Sequence, residues 1–96
     1  MAEATSITNR RIKQEGLFTL WEIKATASDA ETITIPTTDP ITTSSTVSVV
    51  CANNITDGTS PDGTLSVSYD DGNRRFTYDE SGTSDEDVRI LYYVED

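Results

Sequence analysis

Oxygen ligands are the main chemistry this sequence offers. Asp and Glu number 17 among 96 residues, against 7 Lys and Arg and no His. The run "SDEDVR" sets Asp85 and Asp87 on either side of Glu86, and "TDGTSPDGT" carries Asp57 and Asp62. Calcium takes its oxygen ligands from loops of this kind, so Asp85, Asp87, Asp57 and Asp62 are calcium candidates. No segment matches the spaced Asp/Asn pattern of a calcium loop, however, and Asp is common in turns for backbone reasons alone. The expectation is no metal and no cofactor.

Other reaction types are missing their parts. Without His, Ser-His-Asp and Cys-His nucleophilic machinery in their usual forms are excluded, as are imidazole metal sites. Zinc needs several Cys or His ligands, and Cys51 is the one cysteine. The five Gly are isolated turn residues, not a phosphate loop. A glycosidase pair of carboxylates needs a cleft to hold the sugar between them, and a small sandwich offers none in evidence. The expectation is a protein that is not an enzyme. "NIT" at Asn54 to Thr56 matches a glycosylation acceptor, but a chance match is expected where no secretion signal is seen. Cys51 lies in the apolar run "TVSVVCAN" and is expected to be a small buried hydrophobe.

Any site must be carried by strands. Period two dominates the chain, and no segment offers a helical stripe. In "LFTLWEIKATAS", Trp21, Ile23, Ala25 and Ala27 fall on one face. "ETITIP" alternates Ile33 and Ile35 against Thr, and Pro36 stops it. Val47, Val49 and Cys51 share a side, as do Leu65, Val67 and Tyr69, then Phe76 and Tyr78, then Val88, Ile90, Tyr92 and Val94. One apolar and one wet face per strand is the habit of antiparallel sheets. The fold expected is all-β, a small antiparallel β-sandwich or barrel of about six to seven strands with an N-terminal arm. Residues 1–15 form the arm, and residues 16–96 a single domain.

Two hairpins are expected. A two-residue turn at Asp71-Gly72 pairs Leu65 with Tyr78 and Val67 with Phe76, placing apolar residues opposite one another. Tyr69 then opposes Arg74 on the apolar side, where the cation would cap the core edge. Arg75 points outward beside Ser68, free to meet a partner. A three-residue loop at Ser28 to Ala30 would pair Ala25 with Ile33 and Ile23 with Ile35.

The first and last long strands are apolar on both faces, since Phe18, Leu20, Leu91 and Tyr93 lie opposite their strands' buried parity. A second buried face means a second sheet or another subunit. In a domain this small the subunit is the simpler expectation. The basic residues cluster as Arg10, Arg11 and Lys13 around Ile12 and as Arg74 and Arg75, with Arg89 apart. Such islands in an acidic chain could dock on acidic neighbours. The interface expected is therefore Arg10, Arg11, Ile12, Lys13, Phe18, Leu20, Arg75, Leu91 and Tyr93. The net charge of −10 speaks against nucleic acid, whose phosphates need Lys and Arg. No stretch approaches the roughly 20 apolar residues of a membrane helix, and no signal peptide is seen. Synthesis in a cytoplasm is expected. The acidic balance suits a protein kept soluble in high salt.

The stretch "FTLWEIKATASDAETITIP" and the ending "VRILYYVED" resemble small β-sandwich virion proteins of tailed viruses. The acidic bias is similar to that of viruses infecting haloarchaea. The resemblance implies a head decoration or turret protein, located in the virion, often a trimer and docked on the capsid or another virion protein. Tail and baseplate roles, or a carbohydrate-binding module with Tyr93 stacking on sugar rings, are the alternatives.

Overall fold

Among the described residues, seven strands account for the alternation read from the sequence. They are β1 (Thr5–Glu15), β2 (Phe18–Ala27), β3 (Glu31–Thr34), β4 (Thr46–Asn54), β5 (Leu65–Asp70), β6 (Arg75–Glu80) and β7 (Glu86–Glu95). The computed structural model describes residues 2–56, 65–82 and 84–95. Two antiparallel sheets form, one in the order β1-β2-β7-β4 and the other β3-β6-β5. They pack face to face as a sandwich, the all-β class expected.

The period-two positions fill the space between the sheets. Trp21, Ile23, Ala25 and Ala27 of β2 and Val88, Ile90, Tyr92 and Val94 of β7 come from one side. Ile33 and Ile35, with Leu65, Phe76 and Tyr78, come from the other. The Phe76 ring is fully buried. Its centroid is 4.9 Å from that of Tyr69 and 5.0 Å from that of Tyr92, so it joins the two sheets. Burial pushes the Tyr92 hydroxyl well above its ordinary titration range, and the phenol donates to Asn9 Oδ1 at 2.6 Å.

Three expectations of pairing are corrected. The first concerns residues 1–15. They are not an arm: Thr5–Glu15 is the edge strand β1, closed on β2 by a two-residue loop at Gly16-Leu17. Gly16 has φ +60, the left-handed conformation that a tight loop of this hand requires and glycine adopts without strain. Ahead of β1, the chain adds to β3. Ala4 N donates to Thr32 O, Thr32 N donates to Ala2 O, and the Glu3 carboxylate accepts from Thr32 and Thr34.

The second concerns β2 and β3, which are not a hairpin. β3 pairs with β6, Ile33 opposite Phe76. The turn at Ser28 to Ala30 carries the chain from one sheet to the other, with Ala30 at φ +65 and its N–H on Tyr78 O.

The third is the β5–β6 register. Tyr69 faces Phe76, Val67 faces Tyr78 and Asp70 faces Arg75, two residues away from the expected pairing. The loop is four residues, closed by Asn73 N on Asp70 O and Arg74 N on Asp71 O, with Arg74 at φ +52. Arg74 therefore does not face Tyr69 across a ladder. Its guanidinium instead donates to Ile41 O at 2.6 Å, Ile35 O at 3.0 Å and Pro36 O at 3.1 Å.

Candidate functional site

The outer face of the four-stranded sheet gathers most of the residues expected at an interface. Directly paired residues share a face. On β2 the outward set is Phe18, Leu20, Glu22, Lys24 and Thr26. It is paired on one side with Glu95, Tyr93, Leu91, Arg89 and Asp87 of β7. On its other side, β1 sets Glu15, Lys13, Arg10 and Thr8 opposite Phe18, Leu20, Glu22 and Lys24. Of the expected interface residues, Arg10, Lys13, Phe18, Leu20, Leu91 and Tyr93 thus meet on one surface.

Three expected residues lie elsewhere. Arg11 faces the parity of Trp21, and Ile12 is the extra residue of a β1 bulge. Both are exposed at the sheet edge. Arg75 belongs to the other sheet, with Nε 3.8 Å from Asp70 Oδ2.

The face has an apolar end and a charged middle. Phe18 and Tyr93 pack edge to face with centroids 5.9 Å apart, beside Leu20. Leu17, 71% exposed at the hairpin tip, continues the apolar end. Cys51 belongs to this surface too, which corrects its expected burial. A bulge between Val49 and Cys51 turns the β4 alternation over, so that Cys51 opposes the outward Leu91 and Ala52 opposes the core residue Ile90.

Glu22, at the centre, is a residue that sequence reasoning misses. It is only 5% exposed although it lies on the outward face. Its Oε1 accepts from Arg10 Nε at 2.9 Å, and its Oε2 lies 3.8 Å from Arg89 NH1. Arg89 Nε also donates to Asn53 Oδ1 at 3.2 Å. One carboxylate thus holds cations from both neighbouring strands. Hydrogen bonds to charged groups contribute about 1.5–3 kcal/mol, and exposure of Arg10 reduces that value here. Glu22→Gln is therefore expected to lower stability by about 1–2 kcal/mol. A fall in the urea midpoint with unchanged slope would register it, whereas an unmoved midpoint would mean the pair is screened by solvent.

Beyond Glu22 the face is polar. Lys24, Thr26 and Asp87 line a cavity of about 300 Å³ with Ser6, Thr8 and Ile55. At the opposite end, Lys13 Nζ lies 2.6 Å from Glu15 Oε1, and that hydrogen bond raises the ammonium's pKa. The edges flanking the face are poor templates for further strands. β1 carries two register shifts and three cations, and β4 carries the bulge at Val50.

The two described calcium candidates are each bonded to a hydroxyl. Asp85 Oδ1 accepts from Ser28 Oγ at 3.1 Å, and Asp87 Oδ1 accepts from Thr26 Oγ1 at 3.1 Å. Asp57 and Asp62 lie outside the described residues. Among the described residues, no three of His, Cys, Asp and Glu come together as a metal site would require. The Asn54 side chain, in the glycosylation pattern, is fully buried. Its Nδ2 donates to Glu80 Oε1 at 2.9 Å and Glu86 Oε2 at 2.8 Å, leaving it no access to a glycan.

Comparison with known proteins adds no relative: no family model, curated protein or solved structure matches this chain.

Proposed function

We propose that this protein is a non-enzymatic structural module that self-associates through the outer face of the β1-β2-β7-β4 sheet. The distribution of charge carries this reading. Four of the seven basic residues, Arg10, Lys13, Lys24 and Arg89, lie on that face with four acids, Glu15, Glu22, Asp87 and Glu95. The face is formally neutral. Among the described residues, the other 10 acidic and 3 basic residues carry a net charge of −7. A second copy is repelled by the rest of the molecule and not by this surface, which also holds the outward apolar cluster of Phe18, Leu20, Leu91 and Tyr93. Charge complementarity selects such faces, and apolar contact supplies their affinity.

The resemblance to small virion sandwiches extends the reading. A homo-oligomer, three copies on that resemblance, would decorate a capsid or form part of a turret in the virus particle of a halophilic host.

Light scattering across a salt series tests the association. Screening shortens the reach of charge from about 10 Å at 0.1 M to about 3 Å at 1 M. It weakens repulsion between the acidic bodies and leaves the apolar contact intact. The oligomer is expected to tighten as salt rises, and Leu91→Glu is expected to return it to a monomer. A wild-type chain that stays monomeric in molar salt at high concentration would overturn the proposal.

A further inference from the structure

Ala2–Ala4 and β1 are consecutive in the chain but belong to different sheets. β1 runs along β2, whereas Ala2–Ala4 lies on the edge of β3 that β6 does not cover. That edge presents the N–H groups of Thr32 and Thr34. Ala2 O accepts from the first at 3.0 Å and Glu3 Oε1 from the second at 2.8 Å. Glu3 Oε2 also accepts from the hydroxyls of Thr32 at 3.0 Å and Thr34 at 2.9 Å. Ala4 N donates to Thr32 O at 2.8 Å, and Ala4 is buried. Three residues thus cap an edge that would otherwise be a template for another chain.

The crossing between the sheets strains the chain. Ser6 sits at φ +55, a left-handed conformation that residues other than glycine adopt at a cost. The ladder is also disturbed there. Ser6 and Ile7 together face only Ala25, between the pairs Thr5–Thr26 and Thr8–Lys24. An even strand would relieve both faults. Ile7, which already packs against the core, would then oppose the core residue Ala25, and Ser6 would oppose Thr26. Ala2–Ala4 would run past the end of β2 at Ala27, off its own β3, with a reach of about 10 Å.

A short hinge under strain favours exchange of an element between copies. Ala2–Ala4 can make on a neighbour's β3 the same bonds that it makes on its own, so exchange keeps the contacts and relieves the strain. We infer that the β3 edge is an exchange site for a second copy of this chain: Ala2–Ala4 of each copy pairs with Thr32 and Thr34 of the other about a two-fold axis, with Ser6 as the hinge. This contact is separate from the outer face of the four-stranded sheet.

Isotope-filtered NMR on the full chain tests this. One preparation is labelled on nitrogen and the other on carbon, and both carry Leu91→Glu, so that the outer face does not hold them together. They are unfolded in urea as a mixture and refolded at millimolar concentration. A nuclear Overhauser contact between carbon-labelled Ala2–Ala4 and the nitrogen-labelled amide of Thr32 arises only by exchange, and it is expected. Ser6→Gly removes the strain from the closed monomer and should weaken the dimer about tenfold per hinge. Ser6→Pro fixes φ at about −65° and forbids the kink, so it should be dimeric at concentrations where the parent is monomeric. The inference is overturned if neither the parent nor Ser6→Pro shows the contact, or if Ser6→Pro remains a monomer. A wild-type chain that oligomerises while the Leu91→Glu mixtures show no contact would leave the outer-face association standing and overturn the exchange alone.

Discussion

Phe76→Ala is expected to destabilise the domain by about 3–5 kcal/mol. The side chain is fully buried and lies between Tyr69 of its own sheet and Tyr92 of the other. Truncation removes the apolar transfer term and leaves a cavity that the rigid rings on either side cannot collapse into. Loss of the two tilted ring contacts adds to this, at about 0.5–1.5 kcal/mol each. A domain of this size has roughly 5–15 kcal/mol in all, so the variant sits near the edge of folding. At about 4–8 °C per kcal/mol, the melting temperature should fall by more than about 12 °C. Phe76→Leu keeps most of the volume and should lose far less. A Phe76→Ala loss under about 1 kcal/mol would show that the two sheets do not depend on this ring to meet.

The Phe76 position also shows what the sequence can reveal and where it stops. Alternation identifies the inward residues of nearly every strand because period two is a local property. It does not name each strand's partner. A hairpin between β2 and β3 would set Ile23 and Ala25 beside Ile33 and Ile35, and an arch between sheets sets the same apolar faces toward one another. Parity is satisfied either way, so the β3–β6 pairing was out of reach. The β5–β6 register fails for a related reason. A slip of two residues leaves every side chain on its original face, and the loop's own hydrogen bonds decide between the two registers.

Where the alternation breaks, the reading breaks with it. The bulge at Val50 puts Cys51 on the outer face, and nothing in "TVSVVCAN" marks the extra residue. β1 is an edge strand with most positions in solvent, so it offers little apolar period to find. The "EGLF" turn, with glycine where the loop needs positive φ, was its local sign. The outward apolar residues of the candidate face were legible, because Phe18, Leu20, Leu91 and Tyr93 violate their strands' parity. Glu22 was not. A charged residue at an outward position looks solvated until β1 and β7 are known to bring Arg10 and Arg89 to it.

Arg74→Met should cost about 3 kcal/mol, a large loss for a residue in a surface loop. The guanidinium binds three carbonyls, on Ile35, Pro36 and Ile41, from a position more than thirty residues along the chain. Those carbonyls end β3 and begin the crossing toward β4, where no strand partner takes them up. Ile35 and Ile41 are themselves buried, so water cannot readily replace the lost donors. Methionine keeps the apolar stem and removes all three bonds, isolating the head group from packing. Lysine keeps the charge, but its compact ammonium cannot span the set as the planar fork does, so Arg74→Lys should restore less than half of the loss. Arg74→Gly separates the remaining contribution. It relieves the left-handed φ of +52 and, on that account alone, should be less damaging than Met by about 1 kcal/mol. Urea unfolding of the three variants gives the order wild type, Lys, Gly, Met. If Met matched the wild type, the segment after β3 would be held by its own turns, and the cross-chain bonds of Arg74 would contribute nothing to stability.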